Sequence, residues 1–330
     1  MNNPILIIKS SHKMKVLITD KIHKNALELF EKNGIEYVNR FNISQTELKK
    51  EIEDFDAIIV RSRTKLTADI LEKAKKLKVI GRAGKGLDNI DLKKAKELNI
   101  KVINTPKAPA VSVAELTFGL IICLARHIIK ADKTTHCGQW CKNEYMGFVL
   151  SGKKLGIIGF GNIGEEVAKR AKAFDMIIGV FDNDKNAIKK ANDLGYFVYE
   201  TLEDLVVDSQ IITLHVPASD ENKNIINKSI IDLMQKDTIF INTARGDLVD
   251  ENALIIALKQ KKIKGVALDV FKNEPKVEQE LCNCEENLIL TPHIGSQTIE
   301  TQIYASTSIV KKIIKYLEGY KRIEEKGKIN

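Results

Sequence analysis

The sequence predicts an α/β protein with two doubly wound parallel sheets. Short β-rich runs alternate with helix-length segments along the whole chain, and a long apolar segment separates two sets of about five such runs. The 330 residues are also about twice the usual domain of roughly 150. Because strands separated by helices run parallel with right-handed crossovers, we expect one parallel sheet in each of two domains.

The predicted strands of the first set are the runs KVLITD, AIIVRS, KVIGRAG and KVINTP. Those of the second set are KLGIIGFG, IIGVFD, IITLHVP, TIFINTA, KGVALDV and LILTP. Between the sets, residues 111–132 predict one long helix that is apolar on most of its circumference, which requires burial. Pro106 and Pro109 predict a hinge just before this helix.

A second long helix is predicted over residues 298–322, and we expect it to return to the first domain. Such a return would make the first domain discontinuous in sequence.

Composition excludes several classes of protein. With 44% apolar and 29% charged residues, the chain has ample core material and is neither disordered nor fibrous. The net charge of +8 is spread among acids, as in KKEIED, which is typical of solvated helices and not of a nucleic-acid surface. The longest apolar stretch, 116–125, is half of the roughly 20 residues that a membrane helix needs. We therefore predict a cytoplasmic protein with no membrane or nucleic-acid partner.

The cysteines predict neither a disulfide framework nor a metal centre. Five cysteines are an odd number and are scattered along the chain, which suits a reducing compartment. Cys282 and Cys284 form one cluster, and Cys137 and Cys141 form another with His136, but neither has the paired spacing of a structural zinc site.

The most specific motif is a Gly-x-Gly-x-x-Gly formed by Gly159, Gly161 and Gly164, which follows an apolar strand and opens a helix. In this context the motif predicts a dinucleotide site, because the helix N-terminus offers free N–H groups to a pyrophosphate. Asp182 ends the next strand, where an acid accepts ribose hydroxyls and repels a 2′-phosphate. This favours NAD as the cofactor, although Lys185 nearby leaves NADP open.

Four polar residues follow or end later strands of the second set: Arg245, Asp269, Glu274 and His293. The carboxyl ends of parallel strands lie at one edge of a sheet, where ligands of this fold class bind. We therefore expect these side chains to converge beside the dinucleotide.

Together these motifs resemble the D-isomer-specific 2-hydroxyacid dehydrogenase family. The matching stretches are IIVRSRTKLTADIL, VIGRAGKGLDNIDL, VINTP, SVAELT, GFGNIG, INTARGDLVDENAL, ALDVFKNEP and TPHIGS, and the resemblance extends over nearly all of residues 15–308. The resemblance implies a Rossmann NAD-binding domain, residues 109–297, inserted into a flavodoxin-like substrate domain. Residues 1–108 are the first part of that substrate domain, and residues 298–330 complete it. The resemblance also implies an NAD-dependent oxidoreductase, a homodimer, and a short form without a regulatory domain.

The resemblance implies a role for each of the four polar residues. Arg245 binds the substrate carboxylate and polarises the carbonyl, for which a planar guanidinium is suited. His293 is the acid/base, and Glu274 pairs with it, favours the imidazolium and fixes the tautomer. Asp269 holds the nicotinamide carboxamide. Read singly, these residues would be an ion pair, a loop histidine, a solvated acid and a strand-end cap.

The resemblance also implies two sets of ligand contacts. The cofactor contacts are Lys85, Gly159, Gly161, Asn162, Ile163, Gly164, Asp182, His215, Val216, Pro217, Thr243, Ala244, Arg245, Asp269, His293, Gly295 and Ser296. The substrate contacts are Arg61, Ser62, Arg82, Ala83, Gly84, Arg245 and His293, together with Lys142 from the other chain of a dimer. The alternative interpretation makes Arg61 and Arg63 exposed salt-bridge partners.

The implied small-molecule substrate is a phosphorylated 2-hydroxy or 2-oxo acid. The expected reaction is NAD-dependent oxidation of 3-phospho-D-glycerate to 3-phosphohydroxypyruvate, the first step of L-serine biosynthesis. One alternative within the family is a glyoxylate or hydroxypyruvate reductase, which needs no phosphate clamp. An alternative of another class is an NAD-sensing interaction protein similar to transcriptional corepressors, which would not need Glu274 and His293.

Overall fold

The computed structural model describes residues 13–284 and 286–327, without the side chains of residues 321 and 323–327. Contacts divide the described residues into two compact units. Unit 1 lies within Met1–Ala108 and Ile299–Asn330, and unit 2 is Pro109–Thr298. The outer ends of the predicted domains, at residues 1 and 330, lie outside the described residues.

Unit 1 is built on a parallel sheet of five strands in the order β2-β1-β3-β4-β5. This is the order of flavodoxin-like folds. The strands are β1 (Lys15–Ile18), β2 (Glu36–Asn39), β3 (Ala57–Val60), β4 (Val79–Arg82) and β5 (Lys101–Asn104). The helices are α1 (Lys24–Lys32), α2 (Gln45–Glu51), α3 (Ala68–Leu71), α4 (Leu92–Glu97) and, at the end of the chain, α13 (Ile299–Gly327).

The last helix packs directly on the sheet of unit 1. A Cβ at Gly81 in β4 would lie 2.9 Å from Cγ1 of Ile309 and 3.0 Å from Cδ1 of Ile313, so only glycine lets α13 approach this closely. Both isoleucines are fully buried together with Phe30 of α1. Burial of this apolar face therefore brings the C-terminal segment back to the strands of the first third of the chain.

Unit 2 contains a parallel sheet of seven strands in the order β12-β11-β10-β9-β6-β7-β8. Its strands are β6 (Lys154–Ile158), β7 (Ile177–Phe181), β8 (Phe197–Val198), β9 (Ile211–Leu214), β10 (Ile239–Asn242), β11 (Gly265–Leu268) and β12 (Leu288–Leu290). Its helices are α5 (Ala110–Arg126), α6 (Ile128–His136), α7 (Asn162–Ala173), α8 (Lys185–Asp193), α9 (Leu202–Asp208), α10 (Lys228–Leu233), α11 (Glu251–Lys259) and α12 (Gln279–Cys282). Read from β8, the order is that of the Rossmann fold with one further strand. The predicted α/β class with two parallel sheets is confirmed.

The structure corrects the predicted elements at three places. The edge strands β2 and β8 were missed because an edge strand is less buried and its sequence is less apolar. The single helix predicted over 111–132 is wrong, since α5 and α6 are separate helices. His127 between them adopts a left-handed conformation with φ of 55°. Ten residues of α5 are buried in the core of unit 2, whereas α6 has none.

Neither a membrane span nor a metal cluster is found in the part of the chain that the structure describes. There, no single helix is long and apolar enough to cross a membrane, and α5 and α6 reach that length only jointly, with a bend of 64° between them. All five cysteines are free. Within 13–284 and 286–327, no group of three His, Cys, Asp or Glu side chains is placed to hold a metal ion.

Candidate active site

The glycine motif forms the turn between β6 and α7. Gly159 has a φ of 94°, and a Cβ there would lie 2.8 Å from the backbone nitrogen of Val216. A Cβ at Gly164 would overlap the carbonyl oxygen of Gly159. These two glycines are therefore required by contacts within the protein itself.

Gly161 is different, because a Cβ built on it would have no other atom within 4 Å. This glycine precedes the first turn of α7, where the backbone N–H groups lack partners within the helix. Asn162 and Ile163 begin that turn. An open backbone beside free N–H groups fits a pyrophosphate, so the turn can hold the predicted dinucleotide.

Asp182, just after β7, binds the backbone around this turn. Its Oδ2 accepts a hydrogen bond from the Phe160 N–H at 2.6 Å, and its Oδ1 accepts one from the Asp184 N–H at 2.8 Å. An ionised carboxylate has about four acceptor positions, so the predicted ribose contact is compatible with this anchoring.

The turn after β9 packs against the same glycine motif. His215 is 4% exposed, and its Nε2 shares a hydrogen bond of 3.0 Å with Oγ1 of Thr213. Val216, which comes next, contacts the position of Gly159, and Pro217 is exposed. His215 is thus a packed residue of the turn, in keeping with the predicted lining of a cofactor site.

His293 and Glu274, the predicted acid-base pair, are in hydrogen-bond contact in unit 2, between the segments that follow β11 and β12. Nδ1 of His293 lies 2.8 Å from Oε2 of Glu274, and Oε1 of Glu274 accepts a hydrogen bond from the Phe271 N–H at 3.0 Å. Since Nδ1 is engaged, Nε2 is the nitrogen left for proton exchange with a ligand. Both side chains are partly exposed, at 40% for His293 and 36% for Glu274, so solvent or a ligand can reach them.

The charges around Glu274 keep it ionised. Partial burial by itself would raise its pKa, but the hydrogen bonds from His293 and from the Phe271 N–H, with the charges of His293 and Arg245, outweigh burial. The pKa of Glu274 therefore lies below its ordinary value. An ionised Glu274 is the hydrogen-bond partner that the predicted acid/base role of His293 requires.

Asp269 holds the loop that carries His293. It is fully buried just after β11, and its Oδ1 accepts from Oγ1 of Thr291 at 2.6 Å and from the Ile294 N–H at 2.8 Å. Its Oδ2 accepts from the Gly295 N–H at 2.9 Å. Burial raises the pKa of Asp269 by more than these hydrogen bonds lower it. The loop is thus fixed on both sides of His293, while the nicotinamide contact stays a prediction.

Arg245 lies in the turn after β10 and is partly buried. Its Nη1 donates to the carbonyl oxygen of Ala244 at 2.6 Å. A Cβ at the next residue, Gly246, would overlap the carbonyl group of Phe271. The turn that carries Arg245 therefore packs, backbone against backbone, on the segment that carries Glu274.

A buried acid supports that segment from the other side. Glu251 in α11 is 8% exposed, and its Oε1 accepts a hydrogen bond from the Lys272 N–H at 2.9 Å. Burial is the main cause that raises the pKa of Glu251. The chain thus brings together the segments after β10, β11 and β12, as the sequence predicted for Arg245, Glu274 and His293.

In unit 1, the predicted phosphate contacts Arg61 and Arg82 lie at the ends of two neighbouring strands, β3 and β4. Asp20 accepts hydrogen bonds from different groups of Arg61 and Arg63. Asp20 accepts from the backbone N–H of Arg61 at 2.6 Å and from Nε of Arg63 at 3.1 Å. Burial lowers the pKa of the Arg61 guanidinium, which donates to the carbonyl oxygen of Lys21 at 3.3 Å. Arg63 is therefore a salt-bridge partner, as one interpretation held, whereas Asp20 holds Arg61 by its backbone.

The neighbouring strand β4 ends at Arg82. Its Nη1 donates to the carbonyl oxygen of Ala83 at 3.2 Å, and a Cβ at Gly84 would overlap that nitrogen. The guanidinium therefore crosses over Gly84, whose φ is 148°. Lys85 follows, and its carbonyl oxygen accepts from Nδ2 of Asn104 at 2.7 Å.

Three other predicted contacts are accessible. Ser62 is exposed beside Arg61, and Ser296 is partly buried after the His293 loop. Lys142 is exposed and begins a short 3₁₀ helix, Lys142–Tyr145. A contact from Lys142 to the site of a partner subunit stays a prediction.

Sequence reasoning missed the side chains that hold these segments in place. They are Asp20, Asn89, Thr117, Asn242 and Glu251, and all five are buried or partly buried. Thr117, for example, shares a hydrogen bond of 3.1 Å with Thr243 across 126 residues of chain. A polar residue at the end of an apolar strand, such as Asn242, was the one signal available.

The comparisons with known proteins agree with this arrangement. The sequence model of the D-isomer specific 2-hydroxyacid dehydrogenase NAD binding domain matches residues 118–295. The D-3-phosphoglycerate dehydrogenase of Methanocaldococcus jannaschii is 44% identical over 93% of this chain, which spans 58% of that relative's length. The hydroxypyruvate reductase of Thermotoga maritima is also 44% identical, over 92% of this chain and 98% of that relative.

Among solved structures, the TT0316 protein from Thermus thermophilus superposes with a TM-score of 0.85. It is 31% identical in sequence, and the superposition covers 93% of this chain and 97% of the other.

The different surroundings of two glycines give a matched test of the dinucleotide turn. We expect Gly161→Ala to change the free energy of unfolding by no more than about 1 kcal/mol, since its side is open, but to weaken NADH binding. Gly164→Ala should cost about 3 kcal/mol, because its Cβ would overlap a carbonyl oxygen. Urea unfolding without cofactor measures the free energy of unfolding, and fluorescence titration with NADH measures cofactor binding. An equal loss of stability in the two variants would contradict the open side of the turn.

The lowered pKa of Glu274 predicts a pH dependence for turnover. Its carboxylate should support activity above the ordinary carboxyl pKa of about 4.3 and lose this role only as pH falls through the lower folded-state value. Glu274→Gln should lower kcat by roughly 10² at neutral pH, because the predicted acid/base His293 would lose its ionised partner. Steady-state NADH oxidation across pH measures this. Glu280→Gln, the same charge change at an exposed position, is the control, and an equal effect there would refute the pairing.

Proposed function

Because the chain belongs to the D-isomer specific 2-hydroxyacid dehydrogenase family, we propose that it interconverts a small 2-hydroxy acid and its 2-oxo acid. Membership confirms the predicted class, a nicotinamide-dependent oxidoreductase. The substrate, the preference for NAD over NADP, the subunit assembly and the roles of single residues are proposals. The contact that best supports the reaction is the hydrogen bond between His293 and Glu274, 2.8 Å long.

In the proposed reduction, His293 donates the proton from Nε2 to the carbonyl oxygen of the 2-oxo acid. The dinucleotide, when bound at the glycine turn, supplies the hydride that the carbonyl carbon receives. Glu274 stabilises the imidazolium before the transfer and keeps the tautomer with Nδ1 protonated afterwards. Arg245 binds the carboxylate with paired N–H donors and draws electron density from the carbonyl. Oxidation of the 2-hydroxy acid reverses each step.

We propose NAD as the cofactor, with Asp182 as the residue that selects it. Its carboxylate is anchored at both oxygens by backbone N–H groups, so the negative charge is fixed beside the turn. A fixed negative charge repels the 2′-phosphate of NADP and accepts hydroxyls of a free ribose.

We propose 3-phospho-D-glycerate and 3-phosphohydroxypyruvate as the substrate pair, which places the chain at the first step of L-serine biosynthesis. Arg61 supports this proposal, because Arg63 forms the salt bridge with Asp20 while the Arg61 guanidinium donates to a neutral carbonyl oxygen, that of Lys21. Arg82 ends the neighbouring strand, and its pair in the sheet is Val60, which precedes Arg61. Two guanidiniums on adjacent strands suit a phosphate.

A second candidate, reduction of hydroxypyruvate, is favoured by one observation. The hydroxypyruvate reductase from Thermotoga maritima is as similar in sequence as the D-3-phosphoglycerate dehydrogenase from Methanocaldococcus jannaschii, and this chain covers nearly all of it. Such an enzyme would not need Arg61 for a phosphate. A non-catalytic NAD-sensing role is disfavoured by the geometry of Glu274 and His293, which a sensor has no need to hold. The cytoplasmic location stays a prediction.

We also propose a homodimer, with Lys142 reaching the substrate of the partner subunit. Large apolar side chains close to Lys142 in the chain are exposed: Trp140 by 86%, Met146 by 84% and Val149 by 70%. An apolar patch of this kind on one segment is typical of a surface that another protein covers.

One substrate panel tests the proposed function. The purified chain should oxidise NADH much faster than NADPH, and with 3-phosphohydroxypyruvate at a higher kcat/KM than with hydroxypyruvate, glyoxylate or pyruvate. Arg61→Ala should raise the KM for the phosphorylated acid by roughly 10- to 100-fold and leave the KM for hydroxypyruvate unchanged.

Arg63→Ala is the matched control, because it also removes a guanidinium but one that binds Asp20. We expect Arg63→Ala to lower thermal stability and to leave both KM values nearly unchanged. A preference for hydroxypyruvate that Arg61→Ala leaves intact would establish the second candidate. Turnover of no 2-oxo acid would refute both.

The assembly is tested by light scattering after gel filtration. The wild type should give the mass of a dimer, twice 37.1 kDa. Met146→Glu should shift it toward the monomer, because a carboxylate cannot be buried in an apolar interface without a partner. Ile177→Glu places the same charge on another exposed apolar position of unit 2 and is the control. A wild-type monomer at micromolar concentration would exclude the proposed assembly.

A further inference from the structure

We propose that Asn242 is a positioning residue that aims the guanidinium of Arg245. Asn242 is the last residue of β10 and is 1% exposed. Its Oδ1 accepts a hydrogen bond from the Ala244 N–H at 2.9 Å, and its Nδ2 donates to the carbonyl oxygen of Arg245 at 2.8 Å. One amide group thus holds the turn before and after the peptide bond that joins Ala244 to Arg245.

That peptide bond in turn contacts the guanidinium. Its carbonyl oxygen, on Ala244, accepts from Nη1 of Arg245 at 2.6 Å. Because Asn242 holds the backbone on both sides of this peptide, the plane of the peptide cannot rotate freely. The direction of the Ala244 carbonyl, and with it the direction of the guanidinium, therefore depends on the Asn242 side chain.

Asn242 is itself fixed by its main chain. Its carbonyl oxygen accepts the Asp269 N–H at 2.9 Å, which joins the end of β10 to the end of β11. The same Asp269 holds the loop of His293 through its carboxylate. Asn242 consequently ties the position of Arg245 to the strand ends that also set the position of the imidazole.

An amide is the required group at this position. An aspartate has the same shape but offers an acceptor where the Arg245 carbonyl requires a donor, so it would repel that oxygen. An alanine would leave a buried N–H and a partly buried carbonyl without their partner, which a folded chain avoids by turning the peptide. Either change should redirect the guanidinium without touching a ligand.

The test is a double-mutant cycle on Asn242 and Arg245, which rests on the proposed function. With the 2-oxo acid that the wild type reduces fastest, Asn242→Asp and Asn242→Ala should raise KM and lower kcat, with a combined loss in kcat/KM of roughly tenfold or more. The loss in kcat/KM should exceed any rise in the Kd for NADH, because Thr243, Ala244 and Arg245 are also predicted cofactor contacts but only the substrate carboxylate requires the oriented guanidinium. In the Arg245→Lys background the same changes should lose most of their effect. The ammonium of lysine, on a flexible side chain, does not depend on the orientation that a planar guanidinium requires.

Thr238→Val is the control for a purely structural role. Oγ1 of Thr238 donates to the carbonyl oxygen of Ser209 at 3.2 Å, and this fully buried residue precedes β10 at its other end. Valine has nearly the same shape, so the variant removes a buried hydrogen bond next to the same strand. We expect a loss of thermal stability with kcat/KM within about twofold of the wild type.

Two results would overturn the proposal: a wild-type KM in Asn242→Asp, or an equal loss of kcat/KM whether the background is wild type or Arg245→Lys. Calorimetric binding of oxalate to the NADH complex separates this failure from failure of the proposed function. If the wild type binds oxalate but reduces no 2-oxo acid, the function is wrong, and weaker oxalate binding by Asn242→Asp still supports the role of Asn242. Equal oxalate binding by the wild type and by Asn242→Asp would refute the proposed role of Asn242.

Discussion

In unit 2, an imidazole and a carboxylate from two different strand-end segments are held 2.8 Å apart, and the proposed proton transfer depends on that distance. Without the hydrogen bond from His293, the partial burial of Glu274 would be less well compensated. Without Glu274 as an acceptor, the imidazole of His293 would be free to rotate. The pair forms because other groups fix each residue. The Phe271 N–H binds Glu274, and the Asp269 carboxylate binds the loop that carries His293. The geometry of the proposed proton transfer therefore depends on backbone hydrogen bonds more than on the side chains of His293 and Glu274 themselves.

Close backbone approach is the second constraint, and glycine satisfies it at the two places where chemistry is proposed. At the dinucleotide turn, Gly164 lets α7 start directly beside the carbonyl of Gly159. At the acid-base site, Gly246 lets the turn of Arg245 touch the peptide of Phe271. In each case a single methyl group would force apart the segments that form the site, because a packed backbone has no room to absorb it.

Buried polar side chains complete this arrangement because they are the groups that can join irregular segments to strand ends. Asn242 ends β10 and Asp269 follows the neighbouring strand, and both hold the loops beyond them, while Asp20 does the same for the segment of Arg61 in unit 1. Each of these groups is satisfied by backbone N–H or carbonyl groups, which would otherwise be left without partners on burial. The same side chains that stabilise the loops thus set where the charged groups stand.

The α/β class, the dinucleotide turn, and the polar residues that follow β10, β11 and β12 were all predictable from the amino-acid order. These features are encoded locally, in strand-helix alternation, in glycine spacing, and in which residue follows an apolar run. The family resemblance supplied the pairing of Glu274 with His293, and the two side chains are in hydrogen-bond contact. The break at His127, the edge strands, the different partners of Arg61 and Arg63, and the part played by Asn242 emerged only from the folded chain. Those features depend on which donors and acceptors come into contact after distant segments have packed, and no local sequence pattern encodes such contacts.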